Sequence, residues 1–218
     1  METESIQADE LYCFVKCLEK NNPSQADEIG EQYTFLAVDR QSKLILAYLT
    51  GKRSCENTIA FMLDLRKRVK GTCQITSDSF NAYRPAVRNA FGQNVHFAQQ
   101  TKLYAHDALM PKMMRRRLNP QDCIGVKNYV RIGNPDRTRI TTAHVERTNL
   151  SVRLFNRRFT RLTLDYSKTL DNLRHAVALF VAHFDFCRVH SAHGLTPAAR
   201  AGLTDRTWTI AELLGITT

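Results

Sequence analysis

Apolar and polar positions alternate in short runs through the first half of the chain, and recur every three to four residues through much of the second. The alternation predicts strands over Glu10–Cys17, Tyr33–Asp39 and Leu44–Leu49, the last two joined by a turn around Arg40–Lys43. Asn57–Val69 places Ile59, Phe61, Met62, Leu65 and Val69 at helical spacing and ends on basic residues, which suit a helix C-terminus. Thr72–Thr76 predicts a short strand running into Ser77-Asp78-Ser79, followed by a helix over Arg84–Phe91 and a strand over Asn94–Ala98. Periodicity then fades. Lys102–Ala143 contains Pro111, Pro120, Pro135, Gly125, Gly133 and the run Arg115-Arg116-Arg117, so it reads as an irregular insertion, with room for some strand. Helical texture returns at His144–Arg158 and again from Ser167 to His183. A short helix starts at Thr196-Pro197, where a cap residue precedes proline, and Trp208–Leu214 closes the chain.

Three strands, then helix, strand, helix, strand, helix is an α/β order with a meander at its start. In such a mixed sheet the first strand becomes central once later parallel strands flank it. Asp9 is then expected at one end of that strand. Asp78 is expected just past the C-terminal end of the next buried strand, where open α/β sheets place functional groups.

Charge changes the picture. The 218-residue chain has a formal charge of +10, and the excess is local. Lys112–Lys168 holds 14 Lys and Arg against 4 Asp and Glu, whereas the remainder balances 17 against 17. Concentrated positive charge is the footprint of a nucleic-acid binder. Six scattered cysteines form no CxxC pair, and Cys13 and Cys17 lack partners for a zinc site, so buried, reduced thiols in a cytosolic protein are expected. No signal-peptide pattern and no apolar run of roughly 18 residues is present, so no membrane span is expected.

Candidate chemistry centres on Thr142–Arg158, where Glu146 is a single acid among Arg147, Arg153, Arg157 and Arg158. Glu146, Asn149 and Arg153 are spaced i, i+3, i+7 and share a helical face. One acid among bases suits a site that holds a metal cation and a phosphate backbone together. Asp9 and Asp78 would complete an oxygen-ligand set for Mg²⁺ or Mn²⁺. Asp39 competes with Asp9, but it leads into a turn, where aspartate serves local needs. Glu10 and Asp107 are expected to be structural or supporting residues. His144 is read either as an assistant to Glu146 or as an ordinary exposed histidine. His183, Cys187 and His190 share metal-like helical spacing with His193 nearby, yet Phe180, Phe184 and Phe186 favour core packing. Trp208 is expected to anchor the C-terminal segment.

The stretches ADELYCFV (8–15), YTFLAVDRQSKLI (33–45), ITSDSFNAY (75–83), HVERTNLSVRLFNRRFTRL (144–162), SKTLDNLRHAVALFVAHFDFCRVH (167–190) and LTPAARAGLTDRTWTIAELL (195–214) resemble, in order, the catalytic part of IS1-type insertion-sequence transposases. These belong to the DDE, RNase H-like superfamily. The resemblance implies an RNase H-like catalytic domain over 1–190, with 102–143 as a basic insertion and 191–218 as a C-terminal helical tail. It implies a catalytic and metal-binding triad of Asp9, Asp78 and Glu146 that holds two Mg²⁺ or Mn²⁺ ions for DNA cleavage and strand transfer. Asp9 would bridge the ions. Arg147, Asn149, Arg153, Arg157, Arg158 and Arg161 are the expected DNA contacts. Partners would be double-stranded DNA, as transposon ends and target, and further copies of the chain on that DNA. Localisation would be cytoplasmic and nucleoid-associated. Only METESIQA precedes Asp9, so the expected protein is a catalytic core without the family's usual N-terminal DNA-binding region.

Overall fold

The computed structural model describes residues 1–22, 26–104, 123–160 and 164–216. Its strands are β1 (Ser5–Val15), β2 (Gly30–Asp39), β3 (Ile45–Gly51), β4 (Cys73–Ser77), β5 (Val95–Tyr104) and β6 (Cys123–Ile132). They form one mixed sheet in the order β3-β2-β1-β4-β5-β6. β1, β2 and β3 make an antiparallel meander, β4 and β5 run parallel to β1 and to each other, and β6 returns antiparallel to β5. β1 is interior to the sheet, as expected. The described helices are α1 (Cys55–Arg68), α2 (Tyr83–Phe91), α3 (Ala143–Phe155), α4 (Leu170–Ala182), α5 (Pro197–Arg200) and α6 (Ile210–Leu213). This is an α/β, RNase H-like arrangement.

Side-chain alternation along β1 assigns its two faces. Ile6 and Ala8 join Phe35 and Ala37 of β2 under α1 and α2, where Phe61, Met62, Leu65, Tyr83 and Val87 complete one core. Leu11, Cys13 and Val15 join Leu36 and Val38 on the other face, packed against Val145 and Val152 of α3 and Leu173, Val177 and Phe180 of α4. Local chemistry sets the helix starts. Ser54 accepts from Asn57 N ahead of α1, Thr169 accepts from Asn172 N ahead of α4, and Thr196 caps α5 with Pro197 behind it. Gly92, at φ 59°, ends α2.

Two elements differ from the sequence expectation. β1 begins at Ser5 rather than Glu10. Gln7 and Asp9 point to the α3 face and are polar, so the apolar alternation that marks a half-buried strand is missing there. The insertion after Lys102, which left room for some strand, is in part a regular one: β6 pairs with β5 at eight positions across Cys123–Ile132, and β5 itself runs past the expected Ala98 to Tyr104. β6 is largely exposed on both faces, so its sequence carries no inside–outside period. Asp107, Pro111, Arg115–Arg117 and Pro120 lie outside the described residues. Among the described residues no helix is long and apolar enough to cross a membrane.

Phe61 is fully buried and Leu154 is 67% exposed. Phe61→Ala is expected to lower the unfolding free energy by roughly 3–5 kcal/mol in urea titration. Leu154→Ala should change it by no more than about 0.5 kcal/mol.

Candidate metal centre

The site is built where β1 outruns β4. The parallel register pairs Ala8 with Ser77, so the next residues, Asp9 and Asp78, emerge side by side where β4 ends. Alternation sends Asp9 towards α3 and Glu10 towards α1 and α2. Even so, one carboxylate oxygen each from Asp9, Glu10 and Asp78 lies within 4.8 Å of the others.

Asp9 accepts from Asn149 Nδ2 at 2.8 Å. Burial, then the charges of Asp78 and Glu10, push its pKa up to about 8. Glu10 is pushed up to about 7 by burial and then Asp78, against the opposing pull of Arg53. Arg53 Nε donates to Glu10 Oε1 at 2.5 Å, and Tyr83 Oη donates to Oε2 at 3.0 Å. The Arg53 guanidinium also lies 4.0 Å from the Phe80 ring centre and 3.7 Å from Asp78 Oδ2. Burial raises the Asp78 pKa as well, while the Phe80 amide, donating to Oδ1 at 3.0 Å, opposes it. Gln99 of β5 holds the loop beyond Asp78, donating to the carbonyls of Asp78 at 2.9 Å and Phe80 at 3.1 Å. Arg131 of β6 orients Gln99 through its Oε1 at 3.0 Å.

Glu146 stands at the rim. Lys102 of β5 ion-pairs with its Oε2, and Thr142 Oγ1 donates to Oε1 at 2.6 Å. It is outside the three-carboxylate cluster, although its charge contributes to the raised pKa values of Asp9 and Asp78. Three hydrogen bonds fasten α3 over β1. Gln7 Oε1 accepts from the His144 and Val145 amides at 2.8 and 3.1 Å, near the helix N-terminus, and Asn149 reaches back to Asp9.

The structure therefore brings Asp9 and Asp78 together, adds Glu10, and sets Glu146 alongside, paired with Lys102. Asp39 is occupied locally: Thr3 donates to Oδ1, and Ser42 N and Oγ donate to Oδ2 at 2.7 and 2.6 Å, closing the β2–β3 turn. The expected DNA contacts separate. Asn149 is buried on the metal-centre side of α3, away from the open surface. Arg157 pairs with Asp165 at 3.0 Å, and Arg158 donates to Ser167 Oγ at 3.2 Å. Arg153 is half-buried and Arg147 is exposed, while Arg161 lies outside the described residues. His144 Nδ1 is 3.3 Å from Lys43 Nζ, a contact on the cationic side of the helix.

The helical spacing of His183, Cys187 and His190 does not persist. α4 ends at Ala182, and a wider π-type turn covers His183–Cys187. His190 packs its ring against Phe184 and His193. Trp208 packs on Phe186 with ring centres 4.9 Å apart and donates from Nε1 to Thr204. Sequence reasoning missed Arg53, Lys102, Tyr83, Gln7 and Gln99. For Gln7 a signal existed, since it lies two residues before Asp9 on the same strand face.

Three hard oxygen donors with a single guanidinium among them form a donor set suited to a divalent cation such as Mg²⁺ or Mn²⁺. Burial first, and the neighbouring carboxylates after it, raise the pKa values of Asp9 and Glu10, and a bound cation would oppose both effects.

No family model matches this sequence, and no curated protein matches it. Among solved structures the chain is similar to one in the cryo-EM structure of the piggyBac transposase synaptic complex with hairpin DNA, at 14% identity and a TM-score of 0.37. The similarity covers 83% of this chain and 45% of that one, so this chain spans under half the length of that neighbour.

A pKa raised from 3.8 unfolded to about 8 folded gives Asp9 a stabilising contribution that is complete below about pH 4 and is lost as pH rises through 8. Asp9→Asn mimics the neutral form. Without metal, its melting temperature should match the wild type near pH 4 and exceed it at pH 8 to 9. Equal melting temperatures at both pH values, by differential scanning calorimetry, would contradict this assignment.

Proposed function

We propose that the chain is the catalytic core of a DDE-type transposase that cleaves and joins DNA strands with Mg²⁺ or Mn²⁺ bound by Asp9, Asp78 and Glu146. One observation carries the reading: Asp78 leaves the end of β4 beside Asp9, which lies within the neighbouring parallel strand β1, and α3 is fastened over β1 with Glu146 one turn from Asn149, the partner of Asp9. Bound divalent ions lower the pKa of a water or a DNA 3′-hydroxyl and offset charge on the departing 3′-oxygen.

The residues have distinct tasks. Asp9 feels the charges of both Asp78 and Glu146, and with them would hold the ions. Asn149 orients it by holding one of its oxygens. Glu10 is committed to Arg53 and Tyr83, which leaves Asp9 and Asp78 as the cluster's available donors. Arg53 limits the repulsion that a DNA phosphate meets on approaching the acids. Lys102 neutralises Glu146 and must yield it for the third ligand to act. Working assemblies on paired transposon ends and target DNA would hold more than one copy of the chain.

The Lys102–Glu146 pair also favours a second reading, a DNA-binding regulator that does not cut, because it leaves the third acid occupied. A third is an RNase H-like nuclease that cuts without joining. Labelled duplex and pre-cut ends, incubated with the protein and Mn²⁺, separate all three. The transposase reading expects cleavage and joined products, with Asp78→Asn reducing both by more than about 100-fold, beyond the range for lost supporting contacts. DNA binding without cleavage supports the regulator, and cleavage without joining supports the nuclease.

A further inference from the structure

Helix α3 separates two surfaces of opposite charge. Glu146 and Asn149 face the acidic cluster, whereas His144, Arg147, Thr148 and Ser151 line a cavity of about 140 Å³ on the other flank. That cavity shares Lys43 and His144 with a neighbour of about 500 Å³, which Glu4, Arg40, Arg139, His193 and Arg200 also line. Joined at these residues, the two form one cationic trough. Its charges come from the β2–β3 turn, from α3, from α5 and, through Arg188, from the segment after α4.

Internal ion pairing accounts for little of this charge. Arg139 is bound by Glu4 and Asp136. Among the described residues no carboxylate forms an ion pair with Arg40, Lys43, Arg147, Arg188 or Arg200. Arg188 lies over the Phe155 ring at 4.1 Å. Its Nη1 is shielded from solvent and meets no acceptor among the described residues. A shielded donor without an acceptor is costly in a folded protein, and an anion in the trough would relieve it. Like-charge crowding is visible as well. Burial and then Arg147 lower the Arg188 pKa, and burial and then His193, Lys43, Arg188 and Arg147 lower that of His190.

We infer that this trough binds the sugar-phosphate backbone of a nucleic-acid strand, at a site separate from the metal centre. Cations spread over four chain segments suit successive phosphates better than one small anion. The trough presents cationic side chains but no deep apolar pocket for a base. A helix is about 10–12 Å across with its side chains, so phosphates held here flank any that reaches Asp9. The inference deepens the proposed function by naming the surface for flanking DNA, and it requires no catalysis.

The test is fluorescence anisotropy of the full chain with a labelled 30-base-pair duplex, without divalent metal, so that cleavage plays no part. Arg40→Glu/Arg200→Glu is compared with Lys67→Glu, an exposed change on α1 outside the trough. The double variant should bind at least about 10-fold more weakly, and the slope of log affinity against log salt should fall by about 2, near 0.9 per phosphate contact. Lys67→Glu should bind as the wild type does. Arg40→Gln/Arg200→Gln, with a thermal melt, guards against a folding defect and should show the same direction of change. Wild-type affinity and slope in both natively folded double variants would overturn the inference, as would an equal loss in Lys67→Glu. Displacement of the duplex by micromolar tripolyphosphate would overturn the backbone assignment and point to a small polyphosphate ligand. Loss of cleavage with trough binding intact would count against the proposed function alone.

Discussion

Mutual repulsion of three carboxylates, whose nearest oxygens lie within 4.8 Å of one another, is the constraint that the surrounding structure answers. At that separation and an effective dielectric of about 20, each ionised pair costs roughly 3–4 kcal/mol. A neutral hydrogen bond contributes only about 1 kcal/mol net, so the bond from Asn149 cannot offset even one pair. Three remedies remain: protonation, a built-in cation or a bound one. The protein uses the first two, since Asp9 and Glu10 hold their protons well above the usual carboxylate range and Arg53 lies against Glu10. A bound divalent cation would replace the first, and the carboxylates could then ionise without the penalty. A site with this charge is less stable when empty and ionised than when protonated.

Helix α3 transmits this constraint to the rest of the fold. Gln7 caps its start, Asn149 ties its middle to Asp9, and Val145 and Val152 bury its apolar stripe on β1 and β2. The acidic and basic flanks of one helix are thereby held about a helix diameter apart. Buried glutamines serve similarly elsewhere. Gln99 fixes the loop after Asp78, and Gln74 fixes the turn at Asp136, accepting from its amide and donating to its carbonyl. Each places an amide where a backbone segment would otherwise leave polar groups without partners.

Much of the fold was legible in the sequence because its signals are local. The meander, α1, α2 and α4 follow apolar periodicity, and the caps of α1 and α4 stand immediately before the helix starts. The adjacency of Asp9 and Asp78 was readable as well, since an interior first strand and a parallel fourth strand lie side by side, although Asp9 sits within β1 rather than at its expected end. What escaped were elements without an apolar period. β6 is exposed on both faces, and the opening of β1 presents Gln7 and Asp9 to α3 where an ordinary strand would present apolar side chains.

By itself the sequence determined the α/β order and the excess of positive charge, and it singled out Asp9 and Asp78 but not Glu10 for the acidic cluster. Only the tertiary structure decided how those charges are used. It paired Arg157 with Asp165 and Lys102 with Glu146, drew Arg53 into the acidic cluster, and gathered Arg40, Lys43, Arg188 and Arg200 from charge-balanced regions into one trough. The reason is one of range. Hydrophobic period and capping act over a few residues and are written in local order, whereas electrostatic partnership depends on separation in space between groups far apart in the chain.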